Sequence, residues 1–238
     1  MTVLTALEKA GRNHGLRKVG GLAYPTTSTE SAWMPLPLPA IYHGEEFKPY
    51  REWLTLSNLE AIGSLGGSFV SEKVTDYYID PIEIGYGHLV DWTRDFVGSK
   101  AIRAKAADQK RTKVTLVWNQ EDAAAAMKSS LFGQPNGAKF IDTPLARYAT
   151  YQYDAILHDG RVVGLARHSG FSSNAGEFLS VSLIDKELSE VGTQVSLLWG
   201  EPNSVRPVVE KHQMHEIRAT VAPAPFFHKE IADKRAFP

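Results

Sequence analysis

The chain has 238 residues, 43% of them hydrophobic and 22% charged, and 26 basic against 27 acidic side chains leave a formal net charge of -1. That length accommodates one large domain or two modest ones, and the balanced charge offers no basic footprint for nucleic acid. With no cysteine in the chain, disulfides, zinc–thiolate sites and thiol nucleophiles are excluded.

No apolar run approaches the roughly 18 residues that a membrane-spanning helix needs. The N-terminal "MTVLTALEKAGRNHGLRKVGG" carries charges through its first turns and does not read as a signal peptide. A cytoplasmic protein is the expectation, and the lack of cysteine fits it. The first predicted element is a short amphipathic helix with Leu4, Leu7 and Ala10 on one face, ended by Gly11 or Gly15. The stretch from Tyr24 to Leu54 follows, with Pro25, Pro35, Pro37, Pro39 and Pro49, and is poor material for a helix or a regular strand. "YREWLTLSNLEAIGSL" then places Trp53, Leu56, Leu59 and Ile62 at helical spacing.

"GSLGGSF" has the spacing of neither phosphate-binding loop and predicts a turn. In "VTDYYIDP", Tyr77 and Tyr78 point to opposite faces if extended, so one belongs to a core and the other is free to stack on a ligand. "GYGHLVDWT" predicts a strand, and "VGSKAIRAKAADQKR" a polar helix starting near Ser99. The basic cluster from Lys105 to Lys113 predicts the seam between two units. Beyond it, "KVTLVW", "TYQYDAILHDGRVVGLARHS", "LSVSLI", "TQVSLLWG" and "EIRATVA" are β-branched or alternating runs, with an Asp-Gly hairpin signal at Asp159 and Gly160. They predict an antiparallel barrel or sandwich. One helix, "QEDAAAAMKSSLFG", is set within it, its two acids on the positive end. The fold class is therefore α+β, with a first unit over 1–108 and the barrel over 109–238, including a short tail.

Three patterns bear on chemistry. "HQMHE" puts His212 and His215 at i, i+3, which lacks the zincin spacing, so two solvated histidines and no metal site are expected. "RHSGFSS" has Ser and His close together but no nucleophile elbow, and predicts a polar loop closing a hairpin. Glu30 lies between hydroxyl residues and Trp33. If buried, its carboxylate needs donors or a cation; the other reading is an exposed loop glutamate.

Taken together, these segments resemble the folate-dependent aminomethyltransferase family, whose founding member is the T-protein of the glycine cleavage system. "YYIDPIEIGYGHLVDWTRDFVGSKAI" is similar to the family's Y-x-x-x-P-x-E-x-G-x-G segment with its following D-F-x-G-x-x-A. "GRVVGLARHSGFSSNAGEFLSVSLIDKELSEVGTQVSLLWG" resembles its C-terminal barrel, and "TSTESAW" sits where the family has its pterin-reading glutamate. Within the family, "ESAWMPLPLPAIY", "YREWL", "GGSFVSEKVTDYY", "KVTLVWNQED" and "IRATVAPAPFF" are similar to the tetrahydrofolate-dependent O-demethylases of vanillate, syringate and 3-O-methylgallate.

The resemblance implies a partial folate-binding unit followed by the family's barrel, with tetrahydrofolate as co-substrate and a small aromatic methyl ether as methyl donor. Glu30 is the match to the glutamate that accepts from the pterin. Tyr24, Trp33 and Tyr78 are candidate walls for the folate, placed by their chemistry. Family members run to about twice this length, so the chain looks like a C-terminal half with a separately encoded N-terminal half as possible partner. The family's catalytic aspartate has no counterpart, and no catalytic residue is assigned. His14, Tyr24, Tyr77 and Tyr78 are the available proton donors. The alternatives are a non-catalytic folate-binding remnant or subunit, and an aminomethyltransferase of glycine cleavage type.

Overall fold

Six antiparallel strands close into a barrel, and the segments before them fold against its outer wall. The computed structural model describes residues 2–133, 135–202 and 209–229; the end of the expected tail, 230–238, lies outside them. Helix α1 (Val3–Gly11) forms where expected, capped by the Thr2 hydroxyl, which accepts from Thr5 N. Its apolar residues find no core: Leu4 and Leu7 are exposed.

The proline-rich stretch departs from expectation at its start, where α2 (Ala23–Glu30) is a helix. Pro25 stands in the first turn, where its missing N–H has no intrahelical acceptor. The hydroxyls of Thr26, Ser28 and Thr29 bond back to the carbonyls of Ala23, Tyr24 and Pro25 at 2.9, 2.9 and 3.1 Å, a local satisfaction that hydroxyl residues provide. The helix ends in a Schellman motif: Trp33 N donates to Ser28 O at 3.0 Å and Ala32 N to Thr29 O at 3.3 Å. The left-handed position falls on Ala32, with φ 52°, so the glycine that usually marks such a stop is missing from the sequence.

Two further expectations fail locally. The helix read through "YREWLTLSNLEAIGSL" breaks into α3 (Lys48–Trp53) and α4 (Leu59–Ile62). Between them the Asn58 side chain accepts from Thr55 N at 2.9 Å, and such side-chain turns compete with helix. The strand expected at "GYGHLVDWT" is a single 3-10 turn, Gly87–Leu89, whose backbone bonds are local: Tyr86 N to Pro81 O and Leu89 N to Tyr86 O. Helix α5 (Ser99–Ala107) follows as read.

Strand β1 (Leu65–Gly66) pairs in parallel with β3 (Tyr151–Gln152). The barrel comprises β2 (Arg111–Trp118), β4 (Asp154–His158), β5 (Arg161–Ser172), β6 (Glu177–Asp185), β7 (Gln194–Trp199) and β8 (His215–Ala222), in the order β2-β6-β5-β4-β7-β8 and back to β2. The sandwich is thereby excluded. Between β4 and β5, Asp159 and Gly160 both have positive φ, 50° and 74°, as a two-residue type I′ turn requires. Helix α6 (Gln120–Phe132) is capped by Asn119, whose side chain accepts from Asp122 N. "RHSGFSS" is not a loop: its residues up to Ser172 belong to β5, and His168, Ser169 and Ser172 are buried. Alternate residues on that strand face two different cores, so polar side chains are buried on both sides.

The inner core holds Val114, Leu116, Trp118, Trp199 and Ile217. A second core lies on the outer wall, where Leu165, Val181 and Leu183 pack with Ala32, Met34, Leu38, Tyr77 and Tyr153. Burying a side chain such as leucine contributes about 1.5–3 kcal/mol, so this shared core ties the first segments to the barrel. Two cations of β2 add to it. Arg111 donates to both oxygens of Glu83, at 2.7 and 3.1 Å, and Lys113 Nζ donates to Ala32 O at 3.0 Å. Burial pushes the Lys113 ammonium below the usual lysine range.

Candidate functional site

Glu30 occupies the last position of α2, and α2 lies along β5. Both ends of the helix are tied to that strand. At the first turn, His168 Nε2 meets Pro25 O at 3.2 Å. Burial pushes the His168 imidazole down to about 4, so the ring is neutral at pH 7 and Nε2, facing a carbonyl, carries the proton. At the last turn, Ser172 Oγ donates to Glu30 Oε1 at 2.6 Å. Asn174, in the β5–β6 hairpin, donates its Nδ2 to Oε1 at 3.0 Å and to Oε2 at 3.2 Å. Phe226 N donates to the Glu30 carbonyl at 3.1 Å. The carboxylate is thus neither deeply buried nor a free loop glutamate; it is partly buried, with three donor contacts from the barrel.

The aromatic candidates separate. Tyr24 and Trp33 flank Glu30 in sequence, and their rings meet edge-on at 5.6 Å and 84°. Both are largely exposed, at 59% and 42%, so each has ring surface open to a planar ligand. Tyr78 packs against the outer-wall core and its hydroxyl accepts from Tyr42 N at 3.1 Å. Among the described residues no recorded contact joins it to Glu30, Tyr24 or Trp33. Of the possible proton donors, Tyr77 is the core tyrosine of its pair, and its hydroxyl bonds Phe69 O at 3.2 Å and Ser71 N at 2.9 Å. His14 is exposed on the turn after α1.

A second polar cluster closes the far side of β4. Buried Asp154 accepts from Tyr148 OH at 3.0 Å and Gln152 Nε2 at 2.7 Å. Burial raises its carboxyl to about 7. Buried Lys139 donates to Glu210 at 2.9 Å and lies 3.9 Å from Glu201. His212 is part of this wall and not solvated as expected: its Nε2 accepts from Glu201 N at 2.8 Å, and its Nδ1 meets Glu210 O at 2.8 Å. Among the described residues, no group of three His, Asp or Glu is placed to hold a metal ion. No helix among them is long and apolar enough to cross a membrane.

Sequence reasoning missed Ser172, Asn174 and Phe226, the residues that hold Glu30. The only available signal was the Ser-bearing hairpin "GFSSNAG", whose polar residues read as ordinary turn chemistry.

The candidate site is thus a helix-borne carboxylate docked beside one hairpin of a closed antiparallel barrel. No protein-family model matches the chain. Over 226 residues, 94% of its length, it is 42% identical to a syringate O-demethylase of Sphingobium sp. (strain NBRC 103272 / SYK-6), covering 49% of that protein. It is 28% identical over 242 residues to a sesamin methylene transferase of Sinomonas sp. (strain No.22), covering 52% of it. A solved structure of glycine cleavage system aminomethyltransferase T from Bartonella henselae is similar over 55% of this chain and 26% of its own, with a TM-score of 0.34 and 14% identity. Over nearly all its length the chain is therefore similar to a syringate O-demethylase and to a sesamin methylene transferase. It spans about half the length of the curated relatives it matches.

Proposed function

We propose that this chain carries the folate-reading part of a tetrahydrofolate-dependent transfer of a methyl group from an aryl methyl ether of the syringate or vanillate type. The observation that carries the reading is the 42% identity to a syringate O-demethylase over 94% of the chain. The name of the second relative points the same way, since a methylene group, like a methyl group, is a one-carbon unit.

Folate supplies the nitrogen that takes the methyl group. Glu30 presents two carboxylate oxygens to adjacent N–H donors of the pterin, a charge-assisted pairing. Tyr24 and Trp33 offer aromatic surface beside it. The departing phenolate, with a pKa of about 10 by analogy with tyrosine, needs a proton from an acid within about 3 Å. The Tyr77 hydroxyl donates to Phe69 O and Tyr78 packs against the outer-wall core, and Tyr24 and His14 are exposed. We therefore place the general acid, and most of the aryl pocket, on a partner polypeptide covering the rest of the relatives' length.

The test is an incubation of the purified chain with tetrahydrofolate and syringate or vanillate, alone and with such a partner, followed by detection of 5-methyltetrahydrofolate. Product is expected only in the paired reaction. Turnover by the chain alone would overturn the divided site, and folate binding without turnover in either mixture would favour a non-catalytic folate-binding subunit.

A further inference from the structure

The donors around Glu30 are not equivalent, and counting acceptor sites shows why that matters. A carboxylate oxygen offers about two good acceptor directions. On Oε1 both are taken, by Ser172 Oγ at 2.6 Å and Asn174 Nδ2 at 3.0 Å; on Oε2 one is taken, by the same Asn174 nitrogen at 3.2 Å. A ligand edge with two adjacent N–H groups needs one open direction on each oxygen. It cannot pair with Glu30 while both Ser172 and Asn174 stay.

The geometry says which one leaves. Ser172 has no exposed surface, makes the shortest of the three contacts, and has its Oγ held from the other side by Ala175 N at 3.1 Å. Asn174 is exposed in the hairpin between β5 and β6 and spreads one nitrogen over two longer contacts. Water can replace Glu30 as partner to its amide at little cost. Its –NH2 sits across the two oxygens, as the donor edge of a ligand would.

We propose that Asn174 is a displaceable stand-in that occupies Glu30 until a two-donor ligand takes its place, and that Ser172 is the positioning residue that fixes the carboxylate throughout. This rests on the folate reading of Glu30. Asn174 then competes with the ligand, whereas Ser172 supports it, so removing the two has opposite effects on affinity.

The experiment is calorimetric titration of the full chain, with tetrahydrofolate as probe, for the parent, Ser172→Ala, Asn174→Ala and each of these combined with Glu30→Ala. Thermal melts verify that each variant is folded. Asn174→Ala is expected to bind about threefold to tenfold more tightly, the worth of a hydrogen bond to a charged group less its replacement by water. Ser172→Ala is expected to bind about tenfold more weakly. Neither change should have any effect once Glu30 is alanine, which a merely structural role would not produce. In a nitrogen-15 spectrum the Asn174 side-chain amide should shift on folate addition. Folate binding with Asn174→Ala unchanged or weakened overturns the stand-in while leaving the folate reading intact. Absence of folate binding by the parent and by Asn174→Ala alike overturns the folate reading and this proposal with it.

Discussion

The Ser172 hydroxyl reaches the Glu30 carboxylate across 142 residues of chain, at 2.6 Å. One end of α2 is thereby locked to the last residue of β5, and the only carboxylate in the helix is aimed by the barrel. Replacing Glu30 with alanine should cost about 1.5–3 kcal/mol of tetrahydrofolate affinity, the range for hydrogen bonds to a charged group. Calorimetry on both forms decides it, and equal dissociation constants would remove Glu30 from the folate contact. Glu30→Ala also strands the buried Ser172 hydroxyl, so a parallel melt is needed to separate binding from folding.

Asp154 predicts an unusual pH response. In the folded protein it keeps its proton up to about pH 7, whereas an unfolded aspartate loses it near 3.8. The folded state therefore binds more protons across that window, and the Asp154 contribution to stability is full below the unfolded value and lost as pH rises through about 7. His168 acts in the opposite sense: its folded value near 4, below the ordinary 6.5, makes stability fall as pH drops through that range. Between about pH 6.5 and 7.5 the Asp154 effect exceeds the opposing His168 effect, so the net change keeps the sign of Asp154. Urea midpoints should rise as pH is lowered across this interval, and Asp154→Asn should abolish the rise. A variant with the parent profile would show that Asp154 ionises normally.

Gly67 predicts a steric failure with a built-in control. It has φ +106°, and a Cβ there would lie 2.0 Å from Tyr153 O. Gly67→Ala must shift backbone against backbone and should cost more than about 2 kcal/mol. Gly21, where an added Cβ meets nothing within 4 Å, should tolerate alanine within about 0.5 kcal/mol. Urea unfolding of both, read at constant m-value, makes the comparison.

The barrel fragment from Gln109 onward should fold with a cooperative thermal transition, since it carries the whole closed ladder and the inner core. It should melt below the full chain and bind a hydrophobic dye, because Leu165, Val181 and Leu183 would lose their cover of Ala32, Met34 and Leu38. Calorimetry of both checks this; a broad transition in the fragment would mean that the outer-wall core is needed for folding.

Much of this was legible in the chain itself. The strands from Arg111 to Ala222, the Asp159–Gly160 turn, α6 and its acidic start, and α1 all follow from local pattern, because a hairpin or an amphipathic helix is specified by neighbours within a few residues. The motif match also picked out Glu30 as the residue of interest. What only the tertiary structure decided is long-range. It turned "RHSGFSS" from an apparent polar loop into a buried strand, since both its faces meet a core drawn from distant segments. It made a helix of Ala23–Glu30, stopped on Ala32 without a glycine and pinned by His168 and Ser172. And it gave Glu30 its donors, because partners 142 and 144 residues away leave no periodicity for a sequence to show.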